Sequence, residues 1–218
     1  MSTRQSFDRQ LMDLQQHILR MASFVEKAIY DSVESLAKQN TDLARGVIEN
    51  DDSIDELYND IEYTIIKIIA TQQPIAKDLR LAVSGLKIIM SLERMGDFAV
   101  DIAKVTLRLS GQRLIKPLVK IHEMAHLAQR MVKDGLDAYV NLDEAKARKM
   151  CSYDDDVDYY FREVFEELIE FMKKDPTSIE QATSLLLVCR YLERIADYAT
   201  NIGEEVVFLI TGYWEEMN

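Results

Sequence analysis

Glu93, Asp97 and Asp101 follow one another at intervals of four, and 100 residues later Glu193, Asp197 and Asn201 repeat the spacing. Residues four apart on an α-helix lie about 40° apart around the axis and about 6 Å apart along it, so each trio forms one stripe. Any single stripe of this kind reads first as the solvated face of an amphipathic helix. The duplication argues for more. Like charges at this spacing repel by roughly a few tenths of a kcal/mol per pair, and a surface selected for stability alone would mix in lysines. Two further pairs, Asp51/Asp55 and Asp154/Asp158, lie upstream with the same four-residue interval. Carboxylates crowded together raise one another's pKa, and a bound cation relieves the conflict. Oxygen donors suit hard ions such as magnesium, calcium, manganese or iron, and zinc also accepts carboxylate.

The levels of these acids along their helices agree. Antiparallel neighbours bring together residues equally far from the turn that joins them. Counted from Gln73, Asp55 lies 18 residues before and Glu93 20 after, while Asp51 and Asp97 lie 22 before and 24 after. Counted from Asp175, Asp158 and Glu193 lie 17 before and 18 after, and Asp154 and Asp197 lie 21 and 22. Four carboxylates converge in each copy if the two stripes face each other.

Long helices must position them. Phe7, Leu11, Leu14, Ile18, Met21, Val25, Ile29, Val33 and Leu36 step by threes and fours, which predicts one long amphipathic helix. Thr41 is read as the cap of a second helix that stops at Thr71–Pro74, with Pro74 as first residue of a third running to about Leu109. Ser110–Gly111, followed by Pro117, is the clearest linker. The pattern then restarts through Leu118, Ile121, Ala125, Ala128, Val132, Leu136 and Tyr139. A capping box at Asn141–Glu144 opens a single further helix, and Asp175–Pro176 marks the turn before the last. Leu92–Ala99 returns as Leu192–Ala199, so the chain reads as an all-α fold of two tandem antiparallel three-helix bundles, residues 1–112 and 113–218, related by a pseudo-two-fold repeat.

Composition excludes several alternatives. A formal charge of −12 repels phosphate backbones, so direct nucleic-acid binding is not expected, whereas cations and basic protein surfaces fit. No apolar run approaches a membrane span, the N-terminus carries no apolar signal core, and Cys151 and Cys189 form no CxxC pair; a cytoplasmic protein with reduced thiols is expected. His122-Glu123-Met124-Ala125-His126 fits the HExxH string of zinc peptidases, yet it flanks a packing stripe and lacks a nearby third ligand, which makes a metallohydrolase the lesser reading. A metal-free helical scaffold is the other. Arg94 and Arg194 are expected to pair with neighbouring acids rather than with phosphate. Tyr213, Trp214 and Met217 give the end of the chain an apolar character that suits packing or docking.

The duplicated Leu-Glu-Arg-x-x-Asp helices, the preceding Asp-x-x-x-Asp segments and Gln73-Pro74 followed by Asp78-Leu79-Arg80 resemble the PhoU phosphate-signalling regulators along nearly the whole chain. The resemblance implies a PhoU-like six-helix architecture and a cytoplasmic, non-enzymatic protein, commonly a homodimer. It implies negative regulation of phosphate uptake, linking the ATPase subunit of the phosphate transporter to a sensor histidine kinase. It also implies metal ions at Asp51, Asp55, Glu93, Asp97 and Asp101, and at Asp154, Asp158, Glu193 and Asp197, with Asn201 standing where the first copy has Asp101. The second copy has no clear match for Asp78-Leu79-Arg80.

Overall fold

The three-and-four spacing at the start of the chain closes into one rod, α1 (Thr3–Lys38), whose stripe from Leu14 to Leu36 is buried along its length. The computed structural model describes residues 3–217. Within them follow α2 (Thr41–Gln72), α3 (Ala76–Arg108), α4 (Val119–Asn141), α5 (Glu144–Cys151), α6 (Asp154–Lys174) and α7 (Ile179–Thr211), with a 3₁₀ turn at Pro176–Ser178. The non-helical stretch between α3 and α4 contains the expected Ser110–Pro117 linker, and Gly111 there takes a left-handed φ of 77°.

Three helix starts differ from the sequence reading. Asn40, not Thr41, caps α2: its extended backbone aims the side-chain oxygen at the amides of Asp42 and Leu43, 3.1 and 3.0 Å away. Pro74 lies outside α3, because Gln73 turns left-handed to close α2 on Ile69 and the chain needs Ile75, fully extended, to reverse. The capping box read at Asn141–Glu144 does not form as read, because Asn141 ends α4; Asp143 is the cap of α5, accepting from the Lys146 amide at 3.0 Å.

The single helix expected after Asp143 is broken in two. At Ser152–Tyr153 the amide of Tyr153 donates to the Met150 carbonyl, one residue too early for an α-helix, at 3.1 Å, and the Ser152 hydroxyl donates to the Lys149 carbonyl. The break accompanies a close approach of α5 to α7. A β-carbon on Gly203 would stand 2.8 Å from Met150 Sδ and nearer still to Cys151 Sγ, whereas the first copy has Ala103 there and an unbroken α2. Cys151 and Cys189 are both free and buried.

The two copies meet along α3 and α7, the most extensively packed pair, with α1 against α4 behind them. Phe98 stacks on Tyr191 at 5.9 Å and leans on Tyr198 at 6.0 Å. At one end of this seam Arg80 Nε donates to the Leu209 carbonyl at 3.2 Å, near the last turn of α7. At the other, Gln181 accepts from the Ile115 amide and donates to the Arg113 carbonyl, holding the segment that leaves α3.

Tyr139 on α4 is fully buried, and its hydroxyl has no hydrogen-bond partner among the described residues. Burial alone raises its pKa. An unpaired buried hydroxyl costs about 1–3 kcal/mol. Tyr139→Phe, which keeps the ring, is expected to raise the unfolding free energy by about 1 kcal/mol in urea titrations; a loss of stability would reveal a bond that the phenol makes.

Candidate metal centres

In the first copy, α2 presents Asp51 and Asp55 to α3, which presents Glu93 and Asp97. Asp51 lies against the α3 backbone at Gly96, where a β-carbon would come within 3.4 Å of its Oδ1. Burial pushes the Asp51 carboxyl up to about 6, and the charges of Asp55, Asp97 and Asp52 add to the rise. Glu93 is raised chiefly by burial, then by Asp97, against the pull of Arg94, with Asp55 and Asp51 contributing from across the groove. Acids of each helix thus act on acids of the other, as the matched levels require.

The second copy repeats this with more force. Asp154 is pushed up to about 7 by burial, then by Asp197, Asp158 and Glu193. Its Oδ1 is buried with no hydrogen-bond partner among the described residues. Burial also raises Glu193 and Asp197, with Arg190 and Arg194 opposing. A pocket of about 550 Å³ opens over these acids. Beyond the expected residues it is lined by Arg148, Cys151, Ser152, Asp155 and Met217.

Basic side chains hold the carboxylates on α3 and α7. Arg94 lies 2.9 Å from Asp97 and 3.4 Å from Glu93, Arg194 lies 2.9 Å from Asp197, and Arg190 pairs with Glu193. In this arrangement no three His, Cys, Asp or Glu side chains among the described residues are placed to hold a metal ion. The donor set nevertheless fits one. The acids are oxygen ligands at a common level, Asp154 carries an orphaned buried oxygen, and the arginines that compete for them are largely at the surface. Asp101 and Asn201 stand one turn farther along, where the register brings no acid from the facing helix; Lys104 pairs with Asp101 at 2.9 Å. The histidine motif does not assemble: Glu123 and His126 are exposed on α4 and join no group of three ligands among the described residues.

Comparison with known proteins bears on the fold and the family. The model of the PhoU domain matches residues 18–106 and again 121–206. The chain belongs to the PhoU family. It is 44% identical over 217 residues to a phosphate-specific transport system accessory protein PhoU homolog of Clostridium acetobutylicum, covering 99% of both chains. It is 39% identical over 211 residues to the homolog of Caulobacter vibrioides, covering 96% of this chain and 92% of that one. The crystal structure of PhoU from Pseudomonas aeruginosa superposes with a TM-score of 0.91 at 34% identity, over 95% of this chain and all (100%) of the other. That of the phosphate transport system regulatory protein PhoU from Streptococcus pneumoniae gives 0.90 at 32% identity, over 96% of this chain and 99% of that one. PhoU proteins are accessory and regulatory proteins rather than enzymes, and the HExxH string in this chain is a surface coincidence on α4. Among the described residues no helix is long and apolar enough to cross a membrane.

Arg148, Cys151 and Met217 had no signal in the acidic motifs. The available clue was Gly203 in place of Ala103, which marks where α5 presses on α7 and turns its last residues toward the second cluster.

Proposed function

We propose that the protein is a cytoplasmic negative regulator of phosphate uptake and of phosphate-starvation signalling, a homodimeric adaptor between the phosphate transporter's ATPase subunit and a sensor histidine kinase. Membership of the PhoU family over nearly the whole chain is the observation that carries this reading. Metal ions held by Asp51, Asp55, Glu93 and Asp97, and by Asp154, Asp158, Glu193 and Asp197, are part of it. The orphaned Asp154 oxygen and the raised pKa of acids in both grooves support that assignment. Asp101 and Asn201 would complete the spheres from one turn away. Iron, zinc, manganese, magnesium and calcium are the candidate ions. Partners that dock on this acidic surface should present basic or apolar faces.

The arginine pairs favour a second reading, a metal-free scaffold in which Arg94, Arg190 and Arg194 neutralise the acids permanently. Elemental analysis of purified protein separates the two. The metal reading expects bound ions that fall by about half in Glu93→Ala plus Asp97→Ala, one of two duplicated sites being lost. Absence of metal from the wild-type protein supports the scaffold, and retention in the double variant with loss in His126→Ala would revive the hydrolase. For the signalling role, deletion should derepress phosphate-responsive expression; unchanged expression would count against it.

A further inference from the structure

Beyond α7 the chain doubles back. Gly212 turns left-handed at φ 79°, and two turns back along the helix the Met217 amide donates to Glu204 at 2.9 Å. Between these points, besides a local bond from the Tyr213 amide to the Thr211 hydroxyl at 3.1 Å, the segment is tied twice more. Trp214, the only tryptophan, packs on Phe208 at 5.2 Å and carries the Lys87 ammonium over its ring at 3.8 Å. Glu215 accepts from Arg148 at 2.7 Å, and Arg148 is anchored in turn by Glu144 at 2.9 Å. Arg148 and Met217 are both lining residues of the pocket over Asp154, Asp158, Glu193 and Asp197. The corresponding segment after α3 is led elsewhere, to Gln181 and, through Lys116, to Glu167.

We propose that residues 213–217 form a strap that controls cation exchange at the second acidic site, leaving the first site to exchange freely. The inference rests on the metal reading of these sites. The three ties differ in chemistry: a cation–π contact, an ion pair and a backbone hydrogen bond. The ion pair springs from the pocket wall itself, so the strap cannot lift without freeing Arg148 beside the acids. Met217 stands at the pocket, and Glu215 and Glu216 keep the strap acidic, which holds a departing cation near the site.

Terbium, a hard trivalent ion that takes oxygen ligands and is sensitised by aromatic side chains, tests this. The full-length protein, stripped with chelator and loaded with terbium, is mixed rapidly with excess EDTA while terbium luminescence and Trp214 emission are followed. Two release phases are expected, the slower one accompanied by a change in Trp214 emission. Asp154→Asn should remove the slow phase and Asp51→Asn the fast one. Arg148→Gln, which cuts one tie, and deletion of residues 213–218 should each speed the slow phase by about tenfold and leave the fast phase unchanged, since lost contacts act mostly on dissociation. Two phases that neither variant moves would overturn the strap while leaving the metal sites standing. No bound terbium in the wild-type protein would overturn the metal reading, and the strap's role with it.

Discussion

Lys87→Met is expected to remove about 3 kcal/mol of stability at pH 7.5, the cost of leaving the buried Glu205 carboxylate without its partly exposed lysine partner. Glu205 on α7 is only 3% exposed, and the Lys87 ammonium on α3 stands 2.9 Å from its Oε1. Its other oxygen has no hydrogen-bond partner among the described residues, so the lysine carries most of the compensation. Burial already raises the Glu205 pKa against the opposing pull of Lys87. Without the lysine the carboxyl escapes the penalty by taking a proton, which caps the loss at about 1.4 kcal/mol per pH unit above the ordinary carboxyl pKa. The sign follows. A folded-state pKa above the unfolded value means that the native state holds the extra proton, so stability falls as pH rises between the two. The deficit should therefore shrink to about 1 kcal/mol at pH 5. Urea titrations at both pH values check this, and Lys87→Met with Glu205→Gln should recover most of the loss. A deficit equal at pH 5 and pH 7.5 would show that Lys87 acts through packing on Trp214 and Phe208 rather than through charge.

Helix positions and the facing of the acids were legible because both obey periodicity. Leu14, Ile18 and Met21 are buried where steps of three and four put them, and counting from Gln73 and Asp175 pairs acids that do face one another. Local competition was harder to read. Asn40 and Thr41 are both cap formers, and the backbone angle that decides between them depends on how α1 ends. The break at Ser152–Tyr153 goes with a tertiary approach at Gly203, which no local propensity encodes. Arg148 and Met217 reach the second cluster through that break and through the reversal at Gly212, from outside the repeated motif. Glu205 hid for a related reason: in sequence it is one acid in Glu204-Glu205, and only the α3–α7 seam separates a half-buried surface residue from a buried one.

Chelator-treated protein is expected to lose thermal stability as pH rises from about 5 to 8, and added cation to restore it increasingly toward the alkaline end. Asp154 at about 7 and Asp51 at about 6 lie well above ordinary aspartate, and burial raises Glu93, Glu193 and Asp197 in the same direction. Through this window the folded state keeps protons that the unfolded chain has released, so each unit of pH costs stability. The acids are only half-buried and solvent screens them, which limits the loss to about 1 kcal/mol per site and about 4–8 °C in Tm for the pair. A cation competes with those protons, so its affinity climbs as they leave, and at a hundredfold excess over Kd it contributes about 2.7 kcal/mol per site. Melting curves with EDTA and with manganese should diverge as pH increases. Asp154→Asn removes the most strongly shifted acid, so it should flatten the EDTA curve below pH 7.5 and reduce the manganese gain. A chelated Tm that rises over this range would mean that Arg94, Arg190 and Arg194 already neutralise the clusters. In that case the duplicated acids serve the arginines and not a metal.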